Sequence, residues 1–206
     1  MKRHMMMLAA VLSSAALSSI GASAPKNEQT IIFSGGCFWG IQSVFEHTKG
    51  VVSAVSGYSG GWVDHPSYEQ VSSGTTGHAE SVRVTFDPAQ VSLDQLLKIF
   101  FTVAHDPTQL NRQGPDVGTQ YRSMVIYTND DQQRAVKAFI SQLTESHAYA
   151  KPIVTQVVAY KSFYPAEEYH QHYAELHPDQ PYIAMFDLPK VANLRKEFPA
   201  LYKDVK

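Results

Sequence analysis

Cys37 is the one cysteine of this 206-residue chain, and it lies between two glycines and two aromatic residues in TIIFSGGCFWG, residues 30–40. Residues 31–33 predict a short buried strand, and the segment from Phe38 predicts a helix. Cys37 is therefore expected at a strand-to-helix turn. Unpaired backbone N–H groups and the helix dipole favour a thiolate there. We interpret Cys37 as a reactive thiol, with a small buried side chain as the alternative.

A carboxyl group on an apolar strand face is the second candidate for chemistry. Residues 79–87, AESVRVTFD, alternate so that Glu80 shares a face with Val82, Val84 and Phe86. Burial disfavours the charged carboxylate and raises its pKa, as a general acid near neutral pH requires. The alternative is a carboxylate at the strand end that turns out to water.

Other residue combinations predict competing functions. Cys37 with His78 or His105, and Asp106 or Asp116, could form a cysteine hydrolase with nucleophile, base and orienting carboxylate. A binding module that uses the aromatic loops without catalysis is a further alternative.

Metal and nucleic-acid functions are not expected. Of the nine histidines, His170 and His172 are two apart on a predicted helix and point to different sides. The net charge is −2, and no basic excess indicates nucleic acid.

The amino-terminal segment predicts export. Lys2 and Arg3 precede an apolar stretch, and Ala22-Ser23-Ala24 resembles a cleavage site, followed by Pro25. We interpret residues 1–24 as a signal peptide and residues 25–206 as a single domain, periplasmic or secreted, with no stable membrane insertion after processing. A single cysteine leaves an exported domain without an internal disulfide.

Hydrophobic periodicity predicts alternating strands and helices around long loops. Further strands are expected at residues 51–57, 79–87, 120–128 and 153–160. Further helices are expected at residues 92–104, 130–147, 165–177 and near 189–198. Loops are expected at residues 58–78 and 105–119. This alternation favours an α/β or α+β sandwich with a mixed sheet.

Five blocks resemble, in order, the A-type methionine sulfoxide reductases, or peptide-methionine (S)-S-oxide reductases. They are GCFWG (36–40), GYSGG (57–61), SYEQVSSGTTGHAE (67–80), HDPTQLNRQGPDVGTQYRS (105–123) and FYPAEEYHQHY (163–173). The resemblance implies an α+β two-layer sandwich, a ferredoxin-like plait with a mixed sheet and a long wrapping C-terminal tail.

The resemblance also implies site roles. The catalytic residues would be the nucleophile Cys37, the acid Glu80, the hydroxyl donors Tyr68 and Tyr121, and Asp116, which supports the polar network. Phe38 and Trp39 would line the pocket for the substrate's S-methyl group. The turn and the strand alternation also indicate Cys37 and Glu80 without the resemblance, but they do not indicate Tyr68 or Asp116.

The implied activity is thiol-dependent reduction of the S epimer of methionine sulfoxide through a Cys37 sulfenic acid, which repairs oxidised proteins. The expected substrates are oxidised proteins or peptides and free methionine sulfoxide. No bound cofactor is expected. Many family members carry a C-terminal resolving cysteine, and this chain has none. An external thiol, from a thioredoxin-like protein or a small molecule, is therefore expected to regenerate Cys37.

Overall fold

A six-stranded mixed sheet is the centre of the fold in the computed structural model, which describes residues 27–205. The strands are β1 (Gln29–Ser34), β2 (Val51–Ser59), β3 (Ala79–Phe86), β4 (Arg112–Gln113), β5 (Asp116–Val117), β6 (Met124–Tyr127), β7 (Gln156–Ala159) and β8 (Phe163–Pro165). The sheet order is β7-β6-β1-β3-β2-β8, while β4 and β5 form a separate hairpin. The β6–β7 pair is parallel and the other pairs are antiparallel.

The helices lie between these strands and along the C-terminal part of the chain. They are α1 (Phe38–Glu46), α2 (Tyr68–Ser72), α3 (Leu93–Ile99), α4 (Asp130–Glu145), α5 (Tyr173–Leu176) and α6 (Leu188–Glu197). A π-helical turn continues α3 and another precedes α6, at Phe100–Ala104 and Ile183–Asp187. Within residues 27–205 no helix is both long and apolar enough to span a bilayer. The predicted signal peptide lies outside the described residues.

Strand β1 separates two hydrophobic clusters because alternate residues of a strand point to opposite faces. Ile31 and Phe33 join the larger core, in which Phe33 stacks on Phe45 of α1 with ring centroids 4.8 Å apart. Ile32 belongs to a smaller cluster with Met124. Burying a side chain such as Phe33 contributes roughly 1.5–3 kcal/mol. The core therefore fixes both β1 and α1, the two elements that flank Cys37.

The predicted α+β fold with a mixed sheet is confirmed. The C-terminal tail packs against the residues that follow α1: Tyr202 forms a bridge with Thr48, and Lys203 N–H donates to the His47 carbonyl at 2.8 Å. The sheet has two strands more than the split β-α-β plait that the resemblance implies. The ferredoxin-like plait therefore stays a prediction.

The predicted helix at residues 165–177 is wrong. Residues up to Pro165 form β8, a 3-10 turn follows at Glu168–His170, and only Tyr173–Leu176 is helical. His172 has φ +56°, a left-handed conformation that interrupts a helix. The Gln171 side chain bonds both the N–H and the carbonyl of Ser56 at 3.0 Å, so it pairs with the edge of β2 instead.

Two further boundaries differ from the predictions. The expected strand at residues 120–128 begins only at Met124, because Thr119–Tyr121 forms a 3-10 turn. The expected loop at residues 58–78 contains α2, whose first turn is closed by a capping box of Ser67 and Gln70. Both differences concern candidate site residues, since Tyr121 lies in the 3-10 turn and Tyr68 is the first residue of α2.

Gly36 should tolerate a side chain less well than Gly114. Gly36 has φ +100°, and an added Cβ would lie 2.6 Å from the Gln113 side chain, which is hydrogen-bonded to the Asp106 backbone. Gly114 also has a positive φ, +55°, but its Cβ would meet nothing within 4 Å. We expect Gly36→Ala to lower the free energy of unfolding by about 1–3 kcal/mol more than Gly114→Ala in urea titrations. Equal losses would contradict the packing explanation.

Candidate active site

The turn between β1 and α1 brings Cys37 and Glu80 together. Cys37 immediately precedes α1 as its N-cap residue, and 8% of its surface is exposed. The next residue, Phe38, donates its backbone N–H to Oε2 of Glu80 at 3.0 Å. This N–H is one of those that a helix leaves unpaired at its first turn. The thiol and the carboxyl group therefore share one end of α1.

Glu80 is a buried acid near the start of β3, with 2% of its surface exposed. The pKa of this carboxyl group is raised from its usual 4.5 to about 8, mainly by burial and also by Asp116 and Asp187, while the Phe38 N–H lowers it. The carboxyl group therefore holds its proton at neutral pH. This agrees with the expectation from the alternation of residues 79–87.

The resting Cys37 is a thiol, contrary to the expected thiolate. Burial is the main cause that raises its pKa well above the usual value, and the negative charge of Glu80, when that group is ionised, and of Asp187 raises it further. The Trp39 backbone N–H and the Lys190 ammonium lower it by less. The helix N-terminus acts in the predicted direction, but desolvation and the neighbouring carboxyl groups outweigh it.

The hydroxyl groups of Tyr68 and Tyr121 lie within electrostatic reach of Cys37 and Glu80. Tyr68 is the first residue of α2, and Tyr121 ends the 3-10 turn. Burial raises the pKa of both phenols, and the charges of Glu80 and Cys37 raise them further. Both tyrosines therefore keep their protons and can donate hydrogen bonds.

Asp116 joins this cluster through a tyrosine that sequence reasoning missed. Its Oδ2 accepts a short hydrogen bond from the hydroxyl of Tyr182, just before the π-helical turn that leads into α6. Asp116 also raises the pKa of Glu80 and of Tyr121. Tyr182 lies outside the five family blocks, and no pattern in the sequence indicated it.

Two aromatic residues after Cys37 form the apolar side of the site. Phe38 is fully buried, and its ring lies against those of Trp39, Tyr58 and His170. The Trp39 ring donates its Nε1–H to Nδ1 of His170 at 3.2 Å, and it stacks on Tyr173 with centroids 4.0 Å apart. The indole is therefore held in one orientation beside the thiol.

Glu167 was also missed, and it holds two residues of the site. It accepts the hydroxyl of Tyr58 at 2.7 Å and the backbone N–H of Tyr68 at 3.0 Å. Glu167 and His170 belong to the block FYPAEEYHQHY, which lies within the helix predicted at residues 165–177. This segment is not a continuous helix, and Glu167 bonds Tyr68 while His170 bonds Trp39.

Comparison with known proteins decides the family. A family model described as peptide methionine sulfoxide reductase matches residues 29–201. The chain belongs to the peptide methionine sulfoxide reductase family. It is therefore an oxidoreductase that reduces methionine sulfoxide.

Relatives of this reductase are similar over most of their length. Peptide methionine sulfoxide reductase MsrA 2 of Mesorhizobium japonicum is 56% identical over 88% of this chain and 93% of its own. MsrA of Geobacter sulfurreducens is 55% identical over 69% of this chain and 88% of its own. Reduced Mxr1 from Saccharomyces cerevisiae is a structural neighbour, with a TM-score of 0.70, 32% identity and coverage of 77% of this chain and 91% of its own. Methionine sulfoxide reductase A of Corynebacterium diphtheriae has a TM-score of 0.69 at 34% identity, with 75% of this chain and 77% of its own covered.

The cysteine hydrolase alternative gains no support from this site. The Nδ1 of His78 accepts the Gly61 N–H at 3.1 Å, and its Nε2 donates to the Val63 carbonyl at 2.7 Å. The Nδ1 of His105 donates to the Phe100 carbonyl at 2.9 Å, and its Nε2 lies 2.7 Å from the Ser123 hydroxyl. Both imidazoles use both ring nitrogens elsewhere, so neither is available as a base for Cys37.

The free energy of unfolding of this reductase should depend on whether Glu80 carries its proton. A carboxyl group whose folded-state pKa is raised contributes stability that is lost as pH rises from about 4.5 through 8. Glu80→Gln keeps an oxygen for the Phe38 N–H but cannot ionise. Between pH 5 and pH 9 we expect wild type to lose, relative to this variant, on the order of 3 kcal/mol in free energy of unfolding. Denaturant titrations at both pH values test this, with the exposed Glu145→Gln as control. Parallel pH curves for wild type and Glu80→Gln would contradict it.

Proposed function

We propose that this protein reduces the S epimer of methionine sulfoxide, in oxidised proteins, in peptides and as the free amino acid, at the expense of an external thiol. Cys37 is the nucleophile and Glu80 is the acid. The observation that carries the assignment is the 3.0 Å contact of Glu80 with the Phe38 N–H, which keeps a proton-bearing carboxyl group at the same helix end as the sulfur.

The first step is oxygen transfer from the substrate to Cys37. A sulfoxide sulfur is a weak electrophile because its oxygen is a poor leaving group. A proton from Glu80 and hydrogen bonds from the Tyr68 and Tyr121 hydroxyls withdraw electrons from the sulfur–oxygen bond. The Cys37 sulfur then attacks. In sum, a thiol and a sulfoxide become a sulfenic acid and a thioether, so Cys37 loses two electrons and the methionine sulfur gains them.

The remaining site residues position the substrate. Phe38 and Trp39 form an apolar wall for the S-methyl group, and the stacked Tyr173 and the hydrogen-bonded His170 hold the indole of Trp39. Asp116 fixes the Tyr182 hydroxyl near the polar side of the site. An apolar wall opposite a polar cluster distinguishes the methyl group from the oxygen, which supports selection of one epimer.

An external thiol restores Cys37, because the chain contains no second cysteine. One thiol condenses with the sulfenic acid to a mixed disulfide and water. A second thiol then attacks that disulfide and releases the Cys37 thiol. Mxr1 has also been solved in complex with Trx2, which supports a thioredoxin-like protein as the reductant. A small thiol in its place would follow the same chemistry.

The cellular site of this repair is outside the cytoplasm, either in the periplasm or after secretion. The pattern of residues 1–24 supports this assignment, since a positive start, an apolar stretch and Ala22-Ser23-Ala24 are typical of a signal peptide. Oxidised methionine in exported proteins would then be repaired where it forms.

The activity is tested with the two epimers of blocked methionine sulfoxide and an excess of dithiothreitol. We expect the S epimer alone to be consumed, with the blocked methionine product detected by chromatography. Cys37→Ser should lower the rate by at least about a thousandfold, since a hydroxyl is far less nucleophilic than a thiol at neutral pH. Gly114→Ala, which changes an open surface position, serves as the control. Normal turnover by Cys37→Ser, or equal consumption of both epimers, would contradict the proposal.

The role of Glu80 is tested by the pH dependence of kcat/KM. The free enzyme needs the proton on Glu80, so kcat/KM should fall about tenfold per pH unit above about pH 8. Glu80→Gln should lower kcat/KM at pH 7 by about a hundredfold or more and abolish this falling limb. Tyr121→Phe removes a hydrogen-bond donor but leaves the acid, so it should be slower and keep the limb. A falling limb that persists in Glu80→Gln would assign it to another group.

A further inference from the structure

A buried ion pair lies against the first turn of α1. Asp187 Oδ1 is 3.1 Å from Lys190 Nζ, the Asp187 side chain has no exposed surface and that of Lys190 has 18%. The pair needs the glycine at position 40: an added Cβ there would lie 2.1 Å from Asp187 Oδ1 and 2.8 Å from Lys190 Nζ. A glycine within a helix costs about 1 kcal/mol relative to alanine, and here it makes room for the two charges.

This pair approaches the face of α1 on which Cys37 lies, because residues three apart are neighbours on a helix surface. Six titratable groups act on the sulfur or respond to its charge: Glu80, Asp187, Lys190 and the hydroxyls of Tyr68, Tyr121 and Tyr182. Asp116 acts on Asp187 itself. Glu80 is protonated at neutral pH, and the tyrosines are neutral. Asp187, whose own pKa burial raises, and Lys190 are then the charged groups of this set that change the proton affinity of the sulfur.

Stability does not account for the pair. Replacing a buried ion pair by apolar residues of similar volume is often neutral or stabilising, because desolvation offsets the attraction. The second carboxylate oxygen, Asp187 Oδ2, is buried and has no hydrogen-bond partner within residues 27–205. Lys190 therefore balances the negative charge of Asp187 at Oδ1 only.

We infer that Asp187, with Lys190 as its counter-ion, is a positioning residue that keeps the resting Cys37 sulfur in its thiol form by placing a negative charge beside it. This inference rests on the proposed role of Cys37 as the nucleophile. The rise that Asp187 causes in the pKa of Cys37 exceeds the lowering by Lys190, in agreement with the geometry.

A resting thiol suits a reductase with one cysteine. Hydrogen peroxide oxidises a thiolate, transferring one oxygen to give a sulfenate and releasing water, and further peroxide gives the irreversible sulfinic acid. No second cysteine of this chain can trap the sulfenate as an internal disulfide. The catalytic oxygen transfer consumes a thiol in sum, because Glu80 protonates the sulfoxide oxygen and the proton that the sulfur gives up restores the Glu80 carboxyl group. The thiol form therefore protects Cys37 between turnovers without blocking the reaction.

The test measures alkylation of Cys37 by iodoacetamide from pH 6 to pH 10, followed by mass spectrometry of the intact full-length protein. Cys37 is the only thiol, so its signal is unambiguous. Asp187→Asn removes the negative charge and keeps Lys190. We expect the pH midpoint of alkylation to fall by about one unit or more, and the rate at pH 7 to rise about tenfold.

Two further variants separate charge from packing. Asp187→Asn with Lys190→Met removes both charges, and its midpoint should lie between those of wild type and Asp187→Asn. If Asp187→Asn alone does not fold, a midpoint of the double variant below that of wild type carries the same test. Asp131→Asn breaks an exposed pair with the same i,i+3 spacing and should behave as wild type.

An unchanged or raised midpoint in Asp187→Asn overturns the inference. Equal midpoints in Asp187→Asn and the double variant overturn the part assigned to Lys190, because its positive charge would then have no effect on the sulfur. The proposed function fails separately: fully alkylated wild-type protein that still reduces methionine sulfoxide would remove Cys37 from the reaction, whatever the midpoints are.

Discussion

One backbone N–H determines the chemistry of this site. The first N–H of α1, from Phe38, has no partner within the helix, and the carboxyl group of Glu80 accepts it at 3.0 Å. This bond joins β3 to the turn that carries Cys37. It also leaves the second oxygen of Glu80 able to carry a proton, since burial raises the pKa of this group to about 8. The proposed acid and the proposed nucleophile are thereby held at the same end of α1.

Burial favours the proposed role of Glu80 and opposes that of Cys37. It raises the pKa of Glu80, so the carboxyl group keeps the proton that it would donate. It also raises the pKa of Cys37 and so disfavours the attacking thiolate. Asp187 strengthens both effects, because it raises the pKa of Glu80 and of Cys37. Glu80 and Cys37 therefore both retain their protons in the resting site, beside the charged Asp187.

Local patterns in the sequence were sufficient for the positions of Cys37 and Glu80. The strand-to-helix turn and the alternation of β3 are properties of short segments, and the structure has both. The protonation of Cys37 was predicted incorrectly because it depends mainly on burial, and also on charges such as Asp187 from the far end of the chain, which the local turn pattern does not describe. The prediction of a helix at residues 165–177 is wrong for a similar reason. The Gln171 side chain pairs with Ser56 on β2, and no local pattern describes that contact.

The C-terminal segment of this reductase places charged and aromatic side chains at the site, and it contains no thiol. Tyr182 bonds Asp116, Asp187 and Lys190 pack against Gly40, and Leu194 of α6 is fully buried in the core. The sequence contains no second cysteine, so the proposed regeneration takes its thiol from outside the chain. The C-terminal segment instead supplies the buried charges and the tyrosine that act on the Cys37 sulfur.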